Sequence, residues 1–63
     1  MVNVDFLNKL KGEQSQRDLA KSAGISFASV QRAQRGRAGL IVLRALARYF
    51  DVPISSLLKD NGD

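Results

Sequence analysis

Apolar side chains recur along this chain at three- and four-residue intervals, the spacing of one helix face, and helical signals repeat where strand signals do not. Val4, Phe6, Leu7 and Leu10 make the first such face, with Asn3 placed to cap a helix before it and Gly12 to end the helix after it. Ser15 caps a second segment, Gln16 to about Ala23, whose inward residues are Leu19, Ala20 and Ala23. Asp18, three residues beyond that cap, gives a capping-box-like arrangement and complements the helix dipole. Gly24 stops the segment, Ile25 is apolar, and Ser26 caps a third helix from Phe27 to about Gln34, ended near Gly36.

Gly39 is a weak cap for a fourth helix, Leu40 to Phe50. It is apolar nearly all round except at Arg44 and Arg48, a pattern that predicts a central, buried helix. Asp51, Val52 and Pro53 break it, because proline cannot continue a helix interior and biases the residue before it to extended backbone. Ile54 to Leu58 make a last short helical turn, and the end of the chain, 58–63, is expected to fray. The prediction is a compact five-helix, all-α fold in a single domain, 1–63.

Two of these helices carry the informative spacing. Leu19, Ala20, Ala23, Gly24, Ile25, Val30 and Ala33 fall where a helix-turn-helix over about Gln16 to Arg35 needs small or apolar side chains. Ala20 is small where the second helix crosses close over the first. Gly24 supplies the positive φ of the tight turn, and Leu19, Ile25 and Val30 pin the two axes.

Composition narrows the function. The chain has 63 residues and no Cys, His or Trp, so it has neither a disulfide framework nor the usual ligands of zinc, and no cofactor or metal is expected. The lack of His, and of paired carboxylates in a recognisable motif, weighs against an enzyme, and no catalytic residue is assigned. No apolar stretch approaches the ~20 residues of a membrane span and the first residues lack the character of a signal peptide, so a soluble, cytoplasmic protein is expected.

The net charge of +4 is unevenly placed. Residues 1–18 carry three bases and three acids; residues 51–63 carry one base and three acids; between Leu19 and Phe50 lie Lys21, Arg32, Arg35, Arg37, Arg44 and Arg48 with no acid at all. Such a concentrated positive stretch attracts polyanions, and the planar fork of arginine suits phosphate oxygens and guanine edges. Taken alone, the charge fits a nucleic-acid surface and a merely solvated basic surface equally well.

The run Ser15-Gln16-Arg17-Asp18-Leu19-Ala20, then Ala23-Gly24-Ile25-Ser26, Val30, Arg35-Gly36-Arg37, Leu46-Ala47, and Phe50-Asp51-Val52 with Leu57-Leu58 resembles the phage repressor and Cro-like family, the lambda repressor-like DNA-binding domains. The resemblance covers nearly the whole chain. It implies a five-helix domain whose third helix lies in the major groove of double-stranded DNA, with dimers on pseudo-palindromic half-sites about 34 Å apart. Carried over by position, the base-facing residues are Phe27, Ala28, Ser29 and Arg32, and the phosphate contacts are Ser15, Gln16, Ser26, Arg35 and Arg37. Phe27 and Ala28 offer only apolar contact, suited to a thymine methyl, whereas Arg32 suits guanine O6 and N7.

Each of these positions has a plainer alternative. Phe27 packs into the core against Leu7 or Ile25, Arg32 meets phosphate or solvent, Gln16 is a solvated first-turn residue, and Arg35 and Arg37 belong to a solvated loop. Arg44 and Arg48 read best as the wet side of the fourth helix. The chain departs from the family pattern at Ala33, where a bulkier apolar residue is usual, at Gln34, where an acid is frequent, and in its shorter first helix. A looser core is expected, with Phe6 or Phe50 as candidates to fill the space beside Ala33.

Leu40, Ile41, Val42, Leu57 and Leu58 exceed what so small a monomer readily buries, so a homodimer interface is expected at Leu40, Ile41, Leu57 and Leu58. The resemblance implies a Cro-like regulator of a phage or prokaryote, acting as a repressor at an operator. The alternative is a protein-binding module, such as an antitoxin-type helix-turn-helix protein, which has no need of the arginines at 32, 35 and 37. Non-specific nucleic-acid binding is a third reading.

Overall fold

A computed structural model describes residues 2–58. Five helices follow one another: α1 (Val4–Lys11), α2 (Gln16–Ala23), α3 (Phe27–Gln34), α4 (Leu40–Phe50) and α5 (Ile54–Leu57). The protein is all-α, with no strand among the described residues.

The caps legible in the sequence are made in the structure. The Asn3 side chain accepts the Phe6 N–H at 3.1 Å, Ser15 Oγ accepts the Asp18 N–H at 3.0 Å, and Ser26 Oγ accepts the Ser29 N–H at 3.0 Å. Gly39 starts α4 without a side-chain bond.

Three helices close in one way. An N–H two residues past the end of α2 and α4, and three past the end of α3, returns five residues to a carbonyl: Ile25 to Ala20 at 3.0 Å, Val52 to Ala47 at 3.0 Å, and Arg37 to Arg32 at 2.9 Å. This Schellman-type closure needs left-handed backbone just before the returning residue. Gly24 at φ 74° and Gly36 at φ 90° supply it after α2 and α3, and Asp51, at φ 57°, supplies it after α4. Asp51 thus ends α4 by its own backbone, one step before Pro53 acts.

Leu7, Leu19, Val30, Leu46 and Leu57 are fully buried and form the centre of the core, joined by Val2, Ala20, Ala33, Leu43 and Ala47. Full burial of such aliphatic side chains contributes about 1.5–3 kcal/mol each. Ala33 is completely enclosed, so the small residue leaves no opening to solvent, and Phe6 and Phe50 are both partly buried against the core.

Two expectations are corrected. The fourth helix is not buried all round: Leu43, Leu46 and Ala47 face the core, whereas Leu40 is 58% and Ile41 81% exposed. It packs on α2 and α5, and three eight-residue helices with one four-residue turn are too few to cover its other side. Leu58 is not frayed. It lies just beyond α5 and forms an isolated antiparallel bridge with Val2. The rest of the expected tail, residues 59–63, lies outside the described residues.

That bridge belongs to a clasp with no counterpart in the sequence reading. The Val2 N–H donates to the Gly36 carbonyl at 3.3 Å and the Asn3 N–H to the Leu57 carbonyl at 2.8 Å, which buries Val2. The segment before α1 therefore ties the end of α5 to the turn after α3.

Candidate nucleic-acid interface

The α2–α3 pair is joined by Gly24, Ile25 and Ser26. Leu19 and Ala20 from α2 and Val30 and Ala33 from α3 are buried between the helices and the core, which fixes the inward side of α3 and hence its outward one. With successive residues about 100° apart, the side opposite Val30 and Ala33 carries Ala28, Gln31, Arg32 and Arg35. Ala28, Arg32 and Arg35 are exposed and Gln31 is half-buried.

Arg35 and Arg37 extend this face beyond the helix. The closure that brings the Arg37 N–H back to the Arg32 carbonyl turns the chain so that Arg32, Arg35 and Arg37 line one cleft of about 440 Å³. Three arginines lining one concavity concentrate positive charge there. Arg32 therefore stands at a junction, continuous with Ala28 along the helix and with the other two arginines around the cleft.

At the other end of α3 the geometry differs from expectation. Phe27 is half-buried but is not among the side chains packed on the buried core that contains Leu7, so a core role against Leu7 does not describe it. Its ring lies instead beneath Arg17, whose guanidinium carbon is 5.0 Å from the ring centroid, within cation–π range. Ser29 is half-buried on the flank of α3, and its hydroxyl is hydrogen-bonded to that of Ser26 at 2.8 Å.

Among the expected phosphate contacts, Ser15 and Ser26 are exposed but use their hydroxyl oxygens as helix caps. A serine oxygen that accepts still has its proton to donate. Gln16 is half-buried, and its Nε2 donates to Gln34 Oε1, while Gln34 Nε2 donates to Asn8 Oδ1 at 2.8 Å. One Gln16 amide proton is thus engaged in a relay across α2, α3 and α1. The second proton and the backbone N–H groups of Gln16 and Arg17 remain for an anion, since the Asp18 N–H is taken by the Ser15 cap.

Of the expected dimer residues, Leu40, Ile41 and Leu58 are exposed. Leu57 is not available: it is fully buried in the core, held there by the clasp on its own carbonyl. Arg44 and Arg48 are exposed on α4.

Sequence reasoning passed over Arg17 and Gln31. Gln31 was within reach, since it stands three residues after Ala28 on the same face. Arg17 was not, because its position over Phe27 depends on how two helices cross.

No protein-family model, curated protein or solved structure shows significant similarity to the chain. No helix among the described residues is long and apolar enough to cross a membrane.

Proposed function

We propose that this chain is a sequence-specific double-stranded DNA-binding regulator of the phage repressor and Cro-like kind, which enters the major groove with α3 and represses by occupying an operator. The observation that carries the reading is the outward face of α3. Ala28, Gln31 and Arg32 present an apolar, an amide and a guanidinium group in sequence, and the same face runs into the cleft shared by Arg35 and Arg37. A major groove about 12 Å wide admits one helix, and its base edges are distinguished by such groups. Arg32 is assigned to a guanine edge, Ala28 to a thymine methyl, and Arg35 and Arg37 to phosphates. Phosphate contacts position the protein and base contacts specify the sequence.

The same reading makes the protein a cytoplasmic, non-enzymatic homodimer with no cofactor. Leu40, Ile41 and Leu58, exposed by 58%, 81% and 42%, support an apolar contact between two copies. An antitoxin-type protein partner is the competing use of the same fold, and the arginine cleft favours a polyanion over it.

Selection of bound sites from random duplexes near physiological salt tests the reading. An enriched motif with guanine at one fixed position is expected, and Arg32→Ala should relax that position at a cost of about 1–3 kcal/mol. Arg37→Ala should weaken all duplexes alike and flatten the salt slope by about one unit. Failure to enrich any motif would overturn it.

A further inference from the structure

The pairing of Arg17 with Phe27 joins the first turn of α2 to the first residue of α3, and neither side chain is absorbed by the core. An exposed arginine on a solvated helix ordinarily samples many rotamers, and ordering it costs free energy when it binds. The ring beneath the guanidinium narrows that choice before any ligand arrives. The guanidinium stands over the ring, and its N–H donors remain for an acceptor.

The position has a second consequence. Phe27 is the first residue of α3 and Arg35 the residue just after its end. Eight residues of rise separate them by about 12 Å along the axis. That is roughly the width of the major groove, which the two phosphate backbones border. The arginine cleft stands at one end of this span and Arg17 at the other, so cations flank α3 at both ends.

We propose that Arg17 is a DNA-backbone contact, pre-positioned by the ring of Phe27, and that Phe27 acts as a positioning residue for Arg17 rather than as a reader of bases. The inference rests on the DNA-binding reading and divides the work along α3. Bases are met by Ala28, Gln31 and Arg32, and the phosphates on the two sides by Arg17 and by Arg35 with Arg37. The apolar ring at the helix start is explained without a thymine partner.

The test compares wild type, Arg17→Ala, Phe27→Leu and the double variant by titration with the selected duplex and with an unrelated duplex between 50 mM and 200 mM salt. Arg17→Ala should lower the slope of log K against log salt by about 0.9 in magnitude, and binding at 0.1 M by about eightfold, equally on both duplexes. Phe27→Leu keeps an apolar side chain but removes the π face. It should weaken both duplexes together and leave the base preferences unchanged, and in the double variant it should add nothing to the loss from Arg17→Ala. Circular dichroism melts of each variant separate these effects from unfolding. An unchanged salt slope in Arg17→Ala, with wild type still binding its selected site, would overturn this inference alone. So would a Phe27→Leu variant that selects a different base. Absence of wild-type binding to any duplex would overturn both readings.

Discussion

Replacing Leu57 by alanine should come close to unfolding the protein, whereas the same change at its neighbour Leu58 should be mild. Leu57 is fully enclosed and Leu58 is 42% exposed. Truncation at Leu57 removes three carbon atoms, about 2.4 kcal/mol at ~0.8 kcal/mol for each buried methylene equivalent. The cavity left behind carries the total into the range of roughly 2.7–5 kcal/mol measured for enclosed leucines elsewhere. A domain of 63 residues has only about 3–9 kcal/mol in all, at ~0.05–0.15 kcal/mol per residue. At about 4–8 °C per kcal/mol for a chain of this size, Leu57→Ala should lower Tm by about 10–40 °C, and Leu58→Ala by less than about 8 °C. Thermal melts followed by circular dichroism at 222 nm, at two protein concentrations, read both quantities. The reasoning is refuted if Leu58→Ala costs as much as Leu57→Ala. It is also refuted if Leu57→Ala keeps the wild-type melt and alters only the oligomeric state, because Leu57 would then be an interface residue after all.

Gly36→Ala should cost about 1–2 kcal/mol through its left-handed backbone alone, since an added Cβ would meet only Val4 Cγ2 at an ordinary 3.9 Å. Because Gly36 also sets the return of Arg37 to Arg32, DNA affinity should fall with Tm, whereas Gly24→Ala, whose Cβ would meet nothing within 4 Å, should strain the turn between α2 and α3 instead. Ser26→Ala removes the cap of α3 and should cost about 1 kcal/mol in urea unfolding, with Ser29→Ala costing less because its hydroxyl caps nothing. Val2→Ala should lose about 1.5 kcal/mol for two buried methyl groups, an effect expected of a core position and not of a loose chain end.

The helices were readable because their signals are local. Asn3, Ser15 and Ser26 each cap within three residues, and Gly24 and Gly36 announce backbone that other residues avoid. Inward positions of α1 and α2, Leu7 and Leu19 among them, followed from spacing, and Val30 and Ala33 of α3 from the helix-turn-helix pattern. What escaped depends on contacts between distant parts of the chain. The apolar run of α4 gave no direction, since period cannot tell a helix buried all round from one with apolar residues left outside. Leu57 and Leu58 look alike in sequence and differ in fate because a two-residue clasp from the other end of the chain holds one and bridges the other. In the candidate site, Arg32, Arg35 and Arg37 were legible as a group by their closeness along the chain. The placement of Arg17 over Phe27 and the relay from Gln16 through Gln34 to Asn8 join different helices, and only the packed arrangement brings those side chains together.

DNA binding is proposed for the outward face of α3 and the groups at its two ends. Titration of the selected duplex into uniformly 15N-labelled protein, followed by amide chemical shifts residue by residue, tests it most directly. The largest changes are expected on Ser15 to Arg17 and on Ser26 to Arg37, in a saturable titration that weakens with salt. Changes confined to Leu40, Ile41 and Leu58, or a spectrum unmoved by any duplex, would contradict it.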